Sequence, residues 1–361
     1  MEIDIYGRKF DVTTVTEGNH KKVMVQPNLQ SIGLHAQAPE ILDKDTVQFL
    51  WSKAHFGIKN RTAMFKILYD TYEDVLSQKE IPSQEQSSHN QYFIDRSLTL
   101  QALFCDMIIR LGITVEEFAA ICSAIEEHKN HGTNIIDSYL VFTDPMGFYN
   151  SITAKGGTRT IKKIFNYPES KFDYKKIFSD LSDEELDLVW KATNITAEYI
   201  LDGFKIIAES IKREVNENFT LYDMYNKLKH AFAPIYPYAT PGAFTLEKVP
   251  LDANEEELIK HFLFENVTIM HAKLPEKKTT EEKQKDKKES FATPTLTRAI
   301  MDESTVSGMM SVIKSIEFLY TRLVKTYIAY SQGSFRISFI LPENSLTEDE
   351  KQIISNIIDI E

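Results

Sequence analysis

The stretch SDEELDLVWKATNITAEYILDGFKIIAESIKREV, residues 182–215, decides the fold class. Leu186, Val189, Trp190, Thr193, Ala197, Ile200, Leu201, Phe204, Ile207, Ala208, Ile211 and Val215 recur at the helical period and hold one apolar face. Ser182 and Glu185 stand at capping-box spacing, where hydroxyl and carboxylate each satisfy a free amide at the helix start. A helix this long and this one-sided needs other helices to cover its stripe. The rest of the chain supplies them.

Towards the C-terminus, Val306, Met309, Ile313, Ile316, Tyr320, Leu323 and Tyr327 predict a second long helix over about 304–331. A last helix is expected from the capping box Thr347–Glu350. Upstream, helical periodicity begins near Asp43, with Val47, Leu50 and Trp51, then Phe65, Leu68, Tyr72 and Val75. Two further helices are expected at about 94–111 and 114–129, the second opened by a Thr114–Glu117 box, after a polar loop over 81–90. The first forty residues read as extended or irregular, with Val23-Met24-Val25 a short strand. Phe335, Ile337, Phe339 and Leu341 alternate like another. Residues 233–250 carry four prolines and read as a rigid loop with room for one strand, and 273–290 is a mobile loop charged in both signs. The expected fold is mainly α, a multi-helix bundle with a few short marginal strands. An N-terminal helical region (1–150) of no assigned role is expected to precede a helical domain (151–361).

The chain has 361 residues, 42% hydrophobic and 26% charged, which excludes general disorder. Its formal charge of −12 argues against a surface that is basic throughout, while leaving room for a local patch. Cys105 and Cys122 cannot form a disulfide framework, nor a zinc site alone. The opening MEIDIYGRKF lacks the apolar core of a signal peptide, and no unbroken apolar run reaches 18 residues. A cytoplasmic protein without membrane association is the expectation.

Phosphate-loop, dinucleotide, zincin and nucleophile-elbow motifs are absent. His128 and His131 are spaced to share a metal, but no second ligand cluster accompanies them, so polar residues at a helix end are the simpler account; neither a metal nor a cofactor is expected. Lys155-Gly-Gly-Thr-Arg159 reads as a turn. Between Lys155 and Lys176 stand seven basic residues (Lys155, Arg159, Lys162, Lys163, Lys171, Lys175, Lys176) against Glu169 and Asp173. Phe165, Tyr167, Phe172 and Tyr174 are interleaved with them. That pattern either neutralises phosphates and stacks bases, or is a solvated loop with its aromatics turned to the core.

A shorter helix from Thr220 carries Leu221, Met224, Tyr225, Leu228 and Phe232 as its stripe. Asn226 and His230, four apart, project from another face. An imidazole beside a carboxamide suits proton transfer or the orientation of a ribose hydroxyl, or else is a buried histidine bonded to a neighbour.

A long helix, a break, and a helix ending Tyr225-Asn226-Lys227-Leu228-Lys229-His230 resembles the HEPN superfamily over about 182–233. That family's motif is Arg, four to six residues, then His, often with a polar residue after the Arg. Asn226 and His230 match it, and Tyr225 stands where Arg is expected. The resemblance implies RNA binding or metal-independent endoribonuclease activity, of toxin–antitoxin or phage-defence type, in a homodimer. His230 would move the proton, Asn226 would orient it, and Tyr225 or Lys229 would replace the Arg. Tyrosine is neutral and offers no guanidinium fork, so the site would be weakened, rearranged or purely binding. The alternative is a non-enzymatic helical module that binds a partner protein.

Overall fold

The computed structural model describes residues 1–5, 8–27, 36–37, 42–77, 86–216, 219–229, 234–235, 252, 266–272, 294–301, 303–330, 334–335, 337–357 and 359–360. The fold is mainly α. Its helices in chain order are α1 (Lys44–Ser52), a π-helical segment (Lys53–Lys59), α2 (Asn60–Ser77), α3 (Gln86–His131), α4 (Ile135–Leu140), α5 (Pro145–Ile152), α6 (Gly157–Ile164), α7 (Lys171–Ile177), α8 (Asp183–Ile211), α9 (Leu221–Lys229), α10 (Glu303–Tyr330) and α11 (Glu348–Ile357). Both distal capping boxes form. Ser182 N–H donates to Glu185 Oε2 (2.8 Å) and Glu185 N–H returns a bond to Ser182 Oγ (3.2 Å). Thr347 and Glu350 make the same exchange at 2.8 and 3.2 Å.

The third predicted box does not form. The helices expected at 94–111 and 114–129 are one helix of 46 residues, which also takes in the end of the predicted polar loop; 81–85 lie outside the described residues. Thr114 Oγ1 donates back to the Arg110 carbonyl (2.7 Å), and Glu117 accepts from Lys53 Nζ (3.0 Å), so neither is available to cap. Gly112, which falls between the two expected helices, is a contact: a Cβ there would lie 2.2 Å from the Tyr225 ring. Within α3, Asp95–His131 is long and apolar enough to cross a membrane by length and composition, and over half of its most apolar window is buried in protein.

The N-terminal segment is more ordered than expected. β1 (Glu2–Ile5), β2 (Arg8–Glu17) and β3 (His20–Pro27) form an antiparallel meander with Val12 opposite Val25. Gly18, at φ 61°, and Asn19 make the two-residue turn that the right-handed strand twist favours. The strand expected over 335–341 is instead two dipeptides. β10 (Ser334–Phe335) pairs antiparallel with β4 (Ala36–Gln37), and β11 (Ser338–Phe339) pairs parallel with β12 (Asp359–Ile360). β5 (Glu214–Asn216) and β6 (Phe219–Thr220) form a small ladder before α9, and β7 (Pro234–Ile235), β8 (Asn266–Ala272) and β9 (Pro294–Ile300) form an antiparallel sheet. Most of the proline-rich stretch and all of 273–290 lie outside the described residues.

The chain divides into two units, each discontinuous in sequence: 1–60 with 115–208 and 315–361, and 61–114 with 209–314. Residue 150 lies inside α5, within the first unit. In the first unit Phe118 stacks on Phe204 (centroids 5.3 Å), with Tyr149 and Phe148 packed edgewise or tilted around them. Three of its buried tyrosines satisfy their hydroxyls on carbonyls, Tyr149 on Val115 (3.0 Å), Tyr320 on Leu50 (3.1 Å) and Tyr327 on Ile164 (2.9 Å). In the second unit Arg96 donates to the Val75 and Leu76 carbonyls (3.0 and 2.7 Å), closing the C-terminus of α2.

Candidate nucleic-acid interface

The basic segment 155–176 is two helices joined by a tight turn, not a loop. Gly156, at φ 99°, takes the left-handed conformation that starts α6. Gly157 then has no room for a side chain, since a Cβ would meet the Ile152 carbonyl oxygen at 1.9 Å. Ile161 and Ile164 turn into the core, which leaves Arg159 and Lys163, one turn apart, on a neighbouring face.

α6 ends in a Schellman motif. Tyr167 N–H reaches back to the Lys162 carbonyl (2.8 Å) and Asn166 N–H to that of Lys163 (3.3 Å). Asn166 takes the left-handed position at φ 56°, and Pro168 follows, unable to continue the helix.

These elements enclose a pocket of about 600 Å³. Arg159 and Lys163 contribute from α6, Lys129 from the end of α3, Asn166 and Glu169 from the turn, and Asp173 from α7. Arg159 Nε donates to Glu169 Oε2 (2.7 Å), so the carboxylate orients the guanidinium through one edge. Lys163 Nζ donates to Asn130 Oδ1 (2.6 Å), a neutral acceptor, and its charge also interacts with the Glu126 carboxylate. Asp173 Oδ2 accepts from Ser170 Oγ (2.6 Å).

The predicted phosphate-binding cations therefore separate. Arg159 and Lys163 line the pocket and Lys155 is exposed outside its lining. Lys162 is 7% exposed, bonded to Asn194 Oδ1 (2.7 Å) with its ammonium 4.0 Å from the Trp190 ring centre, and burial pulls its pKa below the usual lysine value. Lys175 pairs with Asp183 (3.1 Å) and Lys176 with Asp173 (4.0 Å). Phe165, Tyr167 and Tyr174 are core residues. Phe172 alone of the four aromatics is exposed, with Lys176 Nζ 4.3 Å from its ring centre. Lys129 and Asn166 did not stand out in the sequence, although Asn166-Tyr167-Pro168 is a readable helix stop.

The second candidate site is on α9, in the other unit. A reciprocal cap starts this helix: Thr220 N–H donates to Asp223 Oδ2 (3.0 Å) and Asp223 N–H to Thr220 Oγ1 (3.1 Å). Asn226 is half-buried and Lys229 exposed, with its ammonium 5.2 Å from the Tyr225 ring centre. Tyr225 is buried, its ring against Gly112, which is a core placement. His230 and Phe232 lie outside the described residues.

His128 Nδ1 contacts the Thr133 carbonyl (2.6 Å) and His131 is 3.8 Å from Glu127. Among the described residues no group of three His, Cys, Asp or Glu could hold a metal ion. No protein-family model matches the chain, and no curated protein or solved structure is found to be similar to it.

Proposed function

We propose that the protein binds single-stranded RNA at the cationic pocket between α3, α6 and α7. The observation that carries this reading is the convergence of Lys129, Arg159 and Lys163 on one pocket of nucleotide size. Phe172, next to Asp173 on α7, offers an exposed ring on which a base can stack, and Lys176 beside it adds a charge. The surface pairs of Lys175 and Lys176 are of the weak, exchangeable kind and yield readily to phosphate.

We further propose, from the HEPN resemblance, that Asn226 and His230 cleave the bound strand without a metal, the 2′-hydroxyl attacking the adjacent phosphate, in a homodimer. With Tyr225 committed to packing, Lys227 and Lys229 are the cations that α9 brings to phosphate charge. The test is a mixed-sequence single-stranded RNA incubated in EDTA with wild type, His230→Ala and the double variant Arg159→Ala/Lys163→Ala. Wild type should retain the RNA and leave 2′,3′-cyclic phosphate ends, His230→Ala should bind without cutting, and the double variant should do both far more weakly. Binding without cutting by wild type would reduce the reading to an RNA-binding module. No binding at all would favour the helical protein-interaction module, for which the exposed Leu140 and Val141 after α4 offer apolar surface.

A further inference from the structure

Asn166 is explained as a helix stop by its backbone alone. Its side chain is not. The residue is 7% exposed, it forms part of the pocket wall, and its Nδ2 is buried without a hydrogen-bond acceptor. A buried donor left unpaired costs on the order of 1–3 kcal/mol, so it calls for an acceptor that the protein itself does not provide.

The cations beside it have donors to spare in the same sense. Glu169 engages Nε of Arg159, and among the described residues no bond is made by its two terminal nitrogens. Lys163 uses one N–H on Asn130 and keeps two. The nearby carboxylates are already engaged, Glu169 by Arg159, Asp173 by Ser170 and Lys176, and Glu126 by Thr160 and the charge of Lys163, so their repulsion of an incoming anion is muted.

We infer that this pocket is a phosphomonoester site, in which the Arg159 fork, the Lys163 ammonium and the Asn166 amide each serve one terminal oxygen. A phosphodiester inside a strand offers two such oxygens and a single charge. A terminal phosphate offers three and carries about −1.5 to −2 at neutral pH, which matches three donor residues and the added charge of Lys129. This deepens the RNA reading, on which the strand-end source depends. A free nucleoside monophosphate would present the same group without it.

The experiment compares a short single-stranded RNA bearing a 5′-phosphate, a 3′-phosphate or only hydroxyl ends, and adenosine monophosphate alone, by titration calorimetry on the full chain. Asn166→Gly is the informative variant, since glycine keeps the left-handed turn and removes only the amide. Arg159→Ala removes the fork. Phosphate-ended RNA is expected to bind at least about tenfold tighter than hydroxyl-ended RNA, the advantage of roughly 1.4 kcal/mol falling away in both variants while Asn166→Gly keeps its melting temperature. Binding of adenosine monophosphate with no binding of RNA would keep the site and overturn the RNA reading. Equal binding of all three RNAs, unchanged by Asn166→Gly, would overturn the phosphomonoester site and leave the RNA reading standing. Silence from every ligand would overturn both.

Discussion

Tyr225 and Gly112 show how one residue's meaning depends on its partner. In sequence, Tyr225 occupies the place of a catalytic arginine and Gly112 falls between two expected helices, yet the two are a single contact, ring against Cα. The contact joins residues more than a hundred positions apart, so no local pattern could reveal it. It reverses an ordinary expectation: helix propensity alone would have Gly112→Ala stabilise by about 1 kcal/mol. Overpacking against the ring should instead destabilise by about 1–3 kcal/mol, read as a lower urea midpoint. Lys162 gives a second residue-level prediction. Its folded pKa is lowered from 10.5, so between that lowered value and 10.5 the unfolded chain holds more protons and stability rises with pH. In Lys162→Met that contribution is absent. The stability of wild type relative to the variant should therefore improve as pH rises through the lowered value towards 10.5, and a constant difference would contradict the assignment.

At the scale of elements, three boxes looked alike in sequence and two formed. Ser182/Glu185 and Thr347/Glu350 follow irregular chain, where amides are free, whereas Thr114/Glu117 falls within a helix whose amides are already taken. Local spacing reports the capacity to cap, and only chain context reports the need. Ser182→Ala should cost about 1 kcal/mol by denaturant titration. Glu185 is held below its usual 4.5 by the Ser182 amide and then its hydroxyl, so its increment is fully present above 4.5 and is lost as pH falls through the lowered value. Glu185→Gln should flatten that part of the acid limb. The long stripes of α8 and α10 were legible because periodicity accumulates over many turns. The β8–β9 hairpin was not, since a long intervening segment hides which strands pair.

For the molecule as a whole, the formal charge of −12 is a poor guide to any one surface. The run of cations at 155–176 was visible in the sequence, but its division was not: a helix turn decides that Arg159 and Lys163 face a pocket while Lys162, one position away, is buried under Trp190. The pocket's remaining members, Lys129 and Asn166, join it only through the packing of α3 against the α6–α7 turn. The interleaved aromatics, read as stackers or as core, are core in three cases of four, which leaves Phe172 as the residue to test for stacking. Its change to Ala should weaken single-stranded RNA binding by about 1–3 kcal/mol without altering the thermal transition, as followed by fluorescence anisotropy. The most direct test of the central claim is the affinity for a labelled single-stranded RNA across a salt series, for wild type and Arg159→Ala/Lys163→Ala. The account predicts binding by wild type that weakens with salt, and weaker binding with a shallower log–log slope in the double variant, because less phosphate charge is neutralised and fewer counterions are released. Identical slopes and affinities for the two proteins would contradict it.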